Sequence, residues 1–122
     1  MLHRDDFGRA TGTALVDAND MLRRMLRAQG DDGLSPRRID FGFRRARLFA
    51  SKPADLAAKI EELGLTKLPA SVTTGAEGDL VMTIEASPYA ADFDRLDAVL
   101  TDLAAGCGWR NEGWSSVVRE TI

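Results

Sequence analysis

Four apolar residues, Phe93, Leu96, Leu100 and Leu103, recur at spacings of 3, 4 and 3 and so share one face of a 3.6-residue repeat. They run into Gly106-Cys107-Gly108, whose glycines supply the backbone freedom a helix end requires, and then into Trp109-Arg110-Asn111-Glu112-Gly113-Trp114. A helix over 89–105 that turns into a strand over 112–118 constrains the whole chain. The strand needs a sheet to join, and the helix must lay its apolar stripe against it.

The preceding residues repeat this pairing of periods. Residues 13–29 place Leu15, Ala18, Leu22, Met25 and Leu26 on one side of a helix, with Arg23, Arg24 and Arg27 largely off it and Gly30 at its end. Asp31-Asp32-Gly33 is turn chemistry. Ile39, Phe41 and Phe43 then alternate with polar neighbours across 37–46, the period of a half-buried strand. Ser51 is placed to cap a helix over 52–63, with Pro53 in its first turn. A strand over 66–74, interrupted by Pro69, leads through a loop at 75–79 to a strand carrying Leu80, Met82 and Ile84 on one side. The order is one helix followed by βαββαβ. The expected fold is α+β: a ferredoxin-like sandwich over 37–118, a four-stranded antiparallel sheet with helices on one face, preceded by the N-terminal helix. At 122 residues the chain fits a single domain.

Several function classes find no support. One cysteine, Cys107, excludes an internal disulfide, and one Cys with one His cannot build an all-Cys/His zinc site. No nucleotide-binding glycine motif, Walker loop or nucleophile elbow occurs, so no catalytic, cofactor or metal residue is assigned. Asp92, Asp94 and Asp97 are read as carboxylates favouring the positive end of the last helix. No apolar run can span a bilayer or serve as a leader, which points to a cytoplasmic protein without a membrane partner. The βαββαβ order raises RNA recognition, but Phe41 and Phe43 are in phase with Ile39 and belong to the core, leaving the outer sheet face without aromatics for bases to stack on; direct tight nucleic-acid binding is not expected.

Charge is unevenly divided: residues 1–52 carry net +4 and residues 53–122 net −7, together the −3 of the whole chain. That division motivates a partner-binding set consisting of Arg23, Arg24 and Arg27 on the first helix and Arg38, Asp40 and Arg44 on the first long strand. Trp114 is expected in the core beside Gly113. Trp109 lies an odd number of residues away, so an unbroken strand would place the two indoles on opposite faces.

Gly30-Asp31-Asp32, Ile39-Asp40-Phe41-Gly42-Phe43, Leu96-Asp97-Ala98-Val99-Leu100 and Asn111-Glu112-Gly113-Trp114-Ser115 together resemble the regulator of ribonuclease E activity B family over roughly residues 19–118. In that family the last motif usually reads Tyr-Asp-Gly-Trp-Gly. Gly113 and Trp114 match it, whereas Asn111, Glu112 and Ser115 depart from it. The resemblance makes Asp31, Asp32, Gly113 and Trp114 family-motif residues of structural weight. It implies a ferredoxin-like protein, not an enzyme, that binds and inhibits the endoribonuclease RNase E. Better-known members carry a strongly acidic C-terminal tail, which residues 112–122 lack, holding Glu112 and Glu120 as their acidic residues. The expected function is therefore a protein-binding regulator of an RNase E-type enzyme; a ligand-sensing or oligomeric ferredoxin-like domain holding a small molecule is the alternative.

Overall fold

The computed structural model describes residues 2–3, 13–32, 35–63, 70–74, 78–90 and 92–116. The elements follow in the order β1 (Leu2–His3), α1 (Thr13–Ala28), β2 (Arg37–Arg45), α2 (Pro53–Glu62), β3 (Ala70–Thr74), β4 (Leu80–Ala86), α3 (Phe93–Gly106) and β5 (Trp109–Ser116). The fold is α+β, with an antiparallel sheet of four substantial strands. The two-residue β1 extends it at one edge, giving the order β1-β5-β2-β4-β3. That edge was not anticipated. Residues 2 and 3 pair with Ser116 and Ser115, a contact too short to carry a periodic pattern.

Alternation along β2 and β4 was anticipated and holds in register. Ile39 faces Ile84, Phe41 faces Met82 and Phe43 faces Leu80 across the ladder, all six buried. Leu22 and Leu26 of α1, Leu56 and Ile60 of α2, and Phe93, Leu100 and Ala104 of α3 join them in one apolar core. The helices therefore cover one face of the sheet, and the intervening strand residues look the other way. Full burial of each such large side chain contributes about 1.5–3 kcal/mol.

Several boundaries differ from the sequence reading for physical reasons. Lys52, not Ser51, occupies the cap position of α2, without a side-chain cap bond. Ser51 instead lends its backbone to β5: its N–H donates to the Cys107 carbonyl at 2.8 Å, and its carbonyl accepts from the Trp109 indole at 2.8 Å. α3 begins at Phe93 rather than Tyr89, since residues 88–90 form a turn before it. The strand expected over 66–74 is observed as β3 at Ala70–Thr74; its residues 66–69, Pro69 included, and Val118 lie outside the described residues.

The largest difference is in β5, which starts at Trp109. Gly42 pairs with Gly113 but Phe43 pairs with Asn111, so Glu112 is an extra residue and the strand bulges. Gly113 sits at φ 96°, in the region glycine adopts without steric cost. The inserted residue reverses the parity of the strand, so Trp109 and Trp114 both face the core, each almost wholly buried.

Candidate functional site

The motif residues are held by two buried polar clusters. In the first, α1 ends in a glycine cap: Gly30, at φ 89°, donates to the Arg27 carbonyl at 3.0 Å, and Asp31 N–H donates to the Leu26 carbonyl at 3.1 Å. That geometry delivers the Asp31 carboxylate to Arg37 at the start of β2, and both side chains are fully buried. Arg37 donates to Asp31 Oδ1 at 3.0 Å and makes a second, shorter bond to Oδ2. Its Nε and Nη2 also donate to the Ser35 carbonyl, at 3.0 and 2.9 Å, and Nη2 lies 3.5 Å from Asp32. Asp32 accepts from the Ser35 N–H at 2.9 Å and from its hydroxyl, tightening the turn. The Tyr89 ring lies 4.9 Å from the Arg27 guanidinium and 6.0 Å from that of Arg37. Burial, then the Asp31 carboxylate, raises the Tyr89 phenol above its ordinary pKa, against the pull of the two arginines.

The second cluster joins α1, α3 and β5. Trp114 donates its indole N–H to Asn19 Oδ1 at 2.8 Å, and Asn19 Nδ2 donates to Asp94 at 2.8 Å and to Asp97 at 3.0 Å. Asn111 Nδ2 donates to the other oxygen of Asp97 at 2.7 Å, while its own carbonyl accepts from the Gly113 N–H at 2.8 Å, holding the bulge. Asn19 and Asp97 are completely buried. Edge-on contact of Phe93 with Trp114, centroids 4.9 Å apart, closes the cluster on its apolar side.

The reading of the α3 carboxylates as helix-end charges holds in position for Asp92 at the cap and Asp94 in the first turn, and these contacts correct it for Asp97. Asp97 anchors the core, Asp94 pairs with Arg23 across two helices, and Asp92 stands at the cap position without a side-chain cap bond. They also reassign Arg23. Its side chain is only 13% exposed and bonds Asp94, Asp20 and the Pro88 carbonyl, so it is part of the internal frame. Burial works against its charge, yet Asp94 and Asp20 outweigh that and raise its pKa. Arg24 and Arg27 are exposed on α1, on the helix side of the molecule.

Arg38, Asp40 and Arg44 lie on the opposite sheet face, which no described helix covers, so the six-residue partner set is not one contiguous surface. On that face Asp40 accepts from Arg38 at 3.1 Å and from the Thr83 hydroxyl at 2.7 Å. Beside it Arg110 forks onto Glu112 at 3.1 and 2.9 Å, and Arg44 stands 3.7 Å from the same carboxylate. Val81, Thr83 and Glu85 complete a surface of alternating charge with no aromatic among these residues. Sequence reasoning missed Leu48 and Phe49, between β2 and α2, which are 88% and 93% exposed. Their sign was available: two large apolar residues outside both periodic patterns, preceded by Arg44, Arg45 and Arg47 and followed by Lys52.

Among the described residues no group of three or more His, Cys, Asp or Glu could hold a metal ion, and Cys107 is buried. No helix among them is long and apolar enough to cross a membrane. Comparisons of the chain with protein-family models, with curated proteins and with solved structures returned no match.

Proposed function

We propose that this chain is a protein-binding regulator with no chemistry of its own, acting in the cytoplasm to restrain an RNase E-type endoribonuclease. Its βαββαβ unit is, in this reading, a ferredoxin-like sandwich with β1 added at one edge. The strand order β5-β2-β4-β3 supports that, since each helical crossover, β2 to β3 and β4 to β5, skips one strand.

One observation carries the functional reading. The residues that resemble the regulator of ribonuclease E activity B family are spread over some eighty positions of sequence, yet they converge on the two buried clusters. Asp31 and Asp32 fix the turn into β2, Asp97 holds α3 to β5 by accepting from Asn111, a position where the chain departs from the family, and Gly113 with Trp114 form and fill the bulge. A chance scatter of matching residues would not share partners; a set that specifies one framework would. Among the described residues no helix covers the charged face of the sheet, which in this reading serves recognition.

The test is cleavage of a defined RNA by the RNase E-type enzyme of the same source, with and without a saturating excess of this protein. Slower product formation in its presence is expected. Identical product formation in both reactions rejects the proposal.

A further inference from the structure

The segment from Arg44 to Lys52 carries four basic residues and no acidic one, while the rest of the chain sums to −7. At its tip Leu48 and Phe49 stand almost fully in water. Leaving both exposed forgoes the stabilisation that burying large apolar side chains brings, and their exposure is enforced by the fold. Ala46 N–H donates to the Gly108 carbonyl at 2.9 Å, Ser51 N–H to that of Cys107 at 2.8 Å, and the Trp109 indole to the Ser51 carbonyl at 2.8 Å. Gly108, at φ 79°, permits the approach: a Cβ there would lie 3.0 Å from Ala50 Cα and 3.1 Å from Arg47 Nε. Both ends of the loop are thus clamped to the start of β5, and the tip is presented rather than loosely trailing. Preorganisation of this kind lowers the ordering cost of binding. Next to it, a groove of about 390 Å³ is lined by Arg44, Arg45, Gly78 and Asp79.

We propose that this end of the sheet is where the regulator docks its protein partner, and that the partner presents there an acidic segment bearing apolar side chains. The inference rests on the protein-binding reading above and names its surface. Leu48 and Phe49 enter apolar sites on the partner. Arg44, Arg45, Arg47 and Lys52 receive its carboxylates, two of these arginines from the groove, where Asp79 is the acidic residue of the described lining and Glu112 stands 3.7 Å from Arg44. Aromatic anchors ringed by arginine are the usual composition of an interface centre. An anionic membrane fits less well, because an extended plane would also meet the −7 carried elsewhere, whereas an acidic segment meets the tip alone. Single-stranded RNA would use Phe49 as a stacking surface and the basic residues for phosphate, but leaves Leu48 without a role.

The experiment is a titration of the isotope-labelled full chain, followed by NMR, with a short synthetic peptide alternating Asp or Glu with Leu and Phe. The same peptide with Asn and Gln in place of its acids, phosphatidylglycerol vesicles and oligouridylate serve as parallel probes. Shifts at residues 44–52 and 78–79 with the acidic peptide, and much weaker ones with its amide counterpart, are expected. The Leu48→Ser/Phe49→Ser and Arg44→Gln/Arg47→Gln variants, shown by thermal melts to remain folded, should each bind the acidic peptide about tenfold more weakly or worse. Absence of binding, shifts elsewhere, equal binding of the amide peptide, or capture of vesicles or oligouridylate through Leu48 and Phe49 in place of the peptide would each overturn the proposal. Cleavage assays with the same variants separate it from the functional reading. Undiminished inhibition by Leu48→Ser/Phe49→Ser overturns the docking surface and leaves the regulator standing; peptide docking at the tip by a wild-type chain that does not inhibit overturns the regulator and keeps the surface.

Discussion

Trp114 illustrates both what single residues disclose and what they conceal. Its burial could be read from the neighbouring glycine and the strand around it, but its partner could not, because Asn19 lies 95 residues away and polar side chains are mostly exposed. The same prior hid Asp97 and Asn111, whose polarity is affordable inside only because each finds donors or acceptors on another element. Truncating Trp114 to Ala is expected to cost about 3–5 kcal/mol. Trp114→Phe should retain most of the burial yet strand Asn19 Oδ1, costing about 1–3 kcal/mol; urea unfolding that leaves this variant as stable as the wild type would remove the indole hydrogen bond from the account. Tyr89 offers a pH test. It is the sole tyrosine, so its ultraviolet titration can be followed alone, and the midpoint should lie above the ordinary value of about 10. Because the folded pKa is raised, the stability it adds is fully present below the unfolded pKa and is lost as pH rises through the folded one. A tyrosinate midpoint at or below that of the denatured chain would contradict the burial assigned to Tyr89.

At the scale of elements, periodicity was a good guide wherever a side chain's direction follows its position in the chain. The alternation of β2 and β4 falls where the spacing puts it, and so do Ala18, Leu22 and Leu26 of α1, Leu56 and Ile60 of α2 and Phe93 and Leu100 of α3, whereas Met25 and Leu63, expected on the same stripes, are exposed. It failed where one residue is inserted: nothing in the spacing of Trp109 and Trp114 announces that Glu112 is extra, and the bulge turns the outer position into an inner one. It failed again at Ser51, whose cap chemistry is sound but whose backbone is taken by β5. The joint between α1 and β2 depends on Asp31 and Arg37, both without solvent contact. Breaking a buried pair leaves an uncompensated charge, so Asp31→Ala should destabilise by about 3–5 kcal/mol, whereas replacing both partners by apolar residues of similar volume, Asp31→Leu with Arg37→Met, should recover much of that loss. Equal stability of the single and double variants in chemical denaturation would show that the pair is not coupled.

For the whole molecule, the decisive arrangement is that all three helices close on one face of one sheet while the exposed loop is clamped at the end of that sheet. The residues proposed to meet a partner were the least legible part. A charge count along the chain pointed to Arg23 and Arg38 together, but folding sends one inward and the other to the far side of the sheet, since sequence halves do not map onto faces. The core, by contrast, is shared. Trp109 sits where the loop is clamped, and Trp114 sits among α1, α3 and β5, yet both belong to a single apolar cluster. Such a core should unfold as a unit, as small single domains do. Trp109→Phe leaves Trp114 as the reporter of the helix side, and Trp114→Phe leaves Trp109 as the reporter of the clamped end. In each variant the fluorescence and far-ultraviolet dichroism transitions in urea should coincide, even though the two variants differ from each other in midpoint. If the Trp109 signal changed at lower urea than the dichroism, the loop end would open as a separate unit, and the tip would lose the rigidity on which its role as a preorganised docking surface depends.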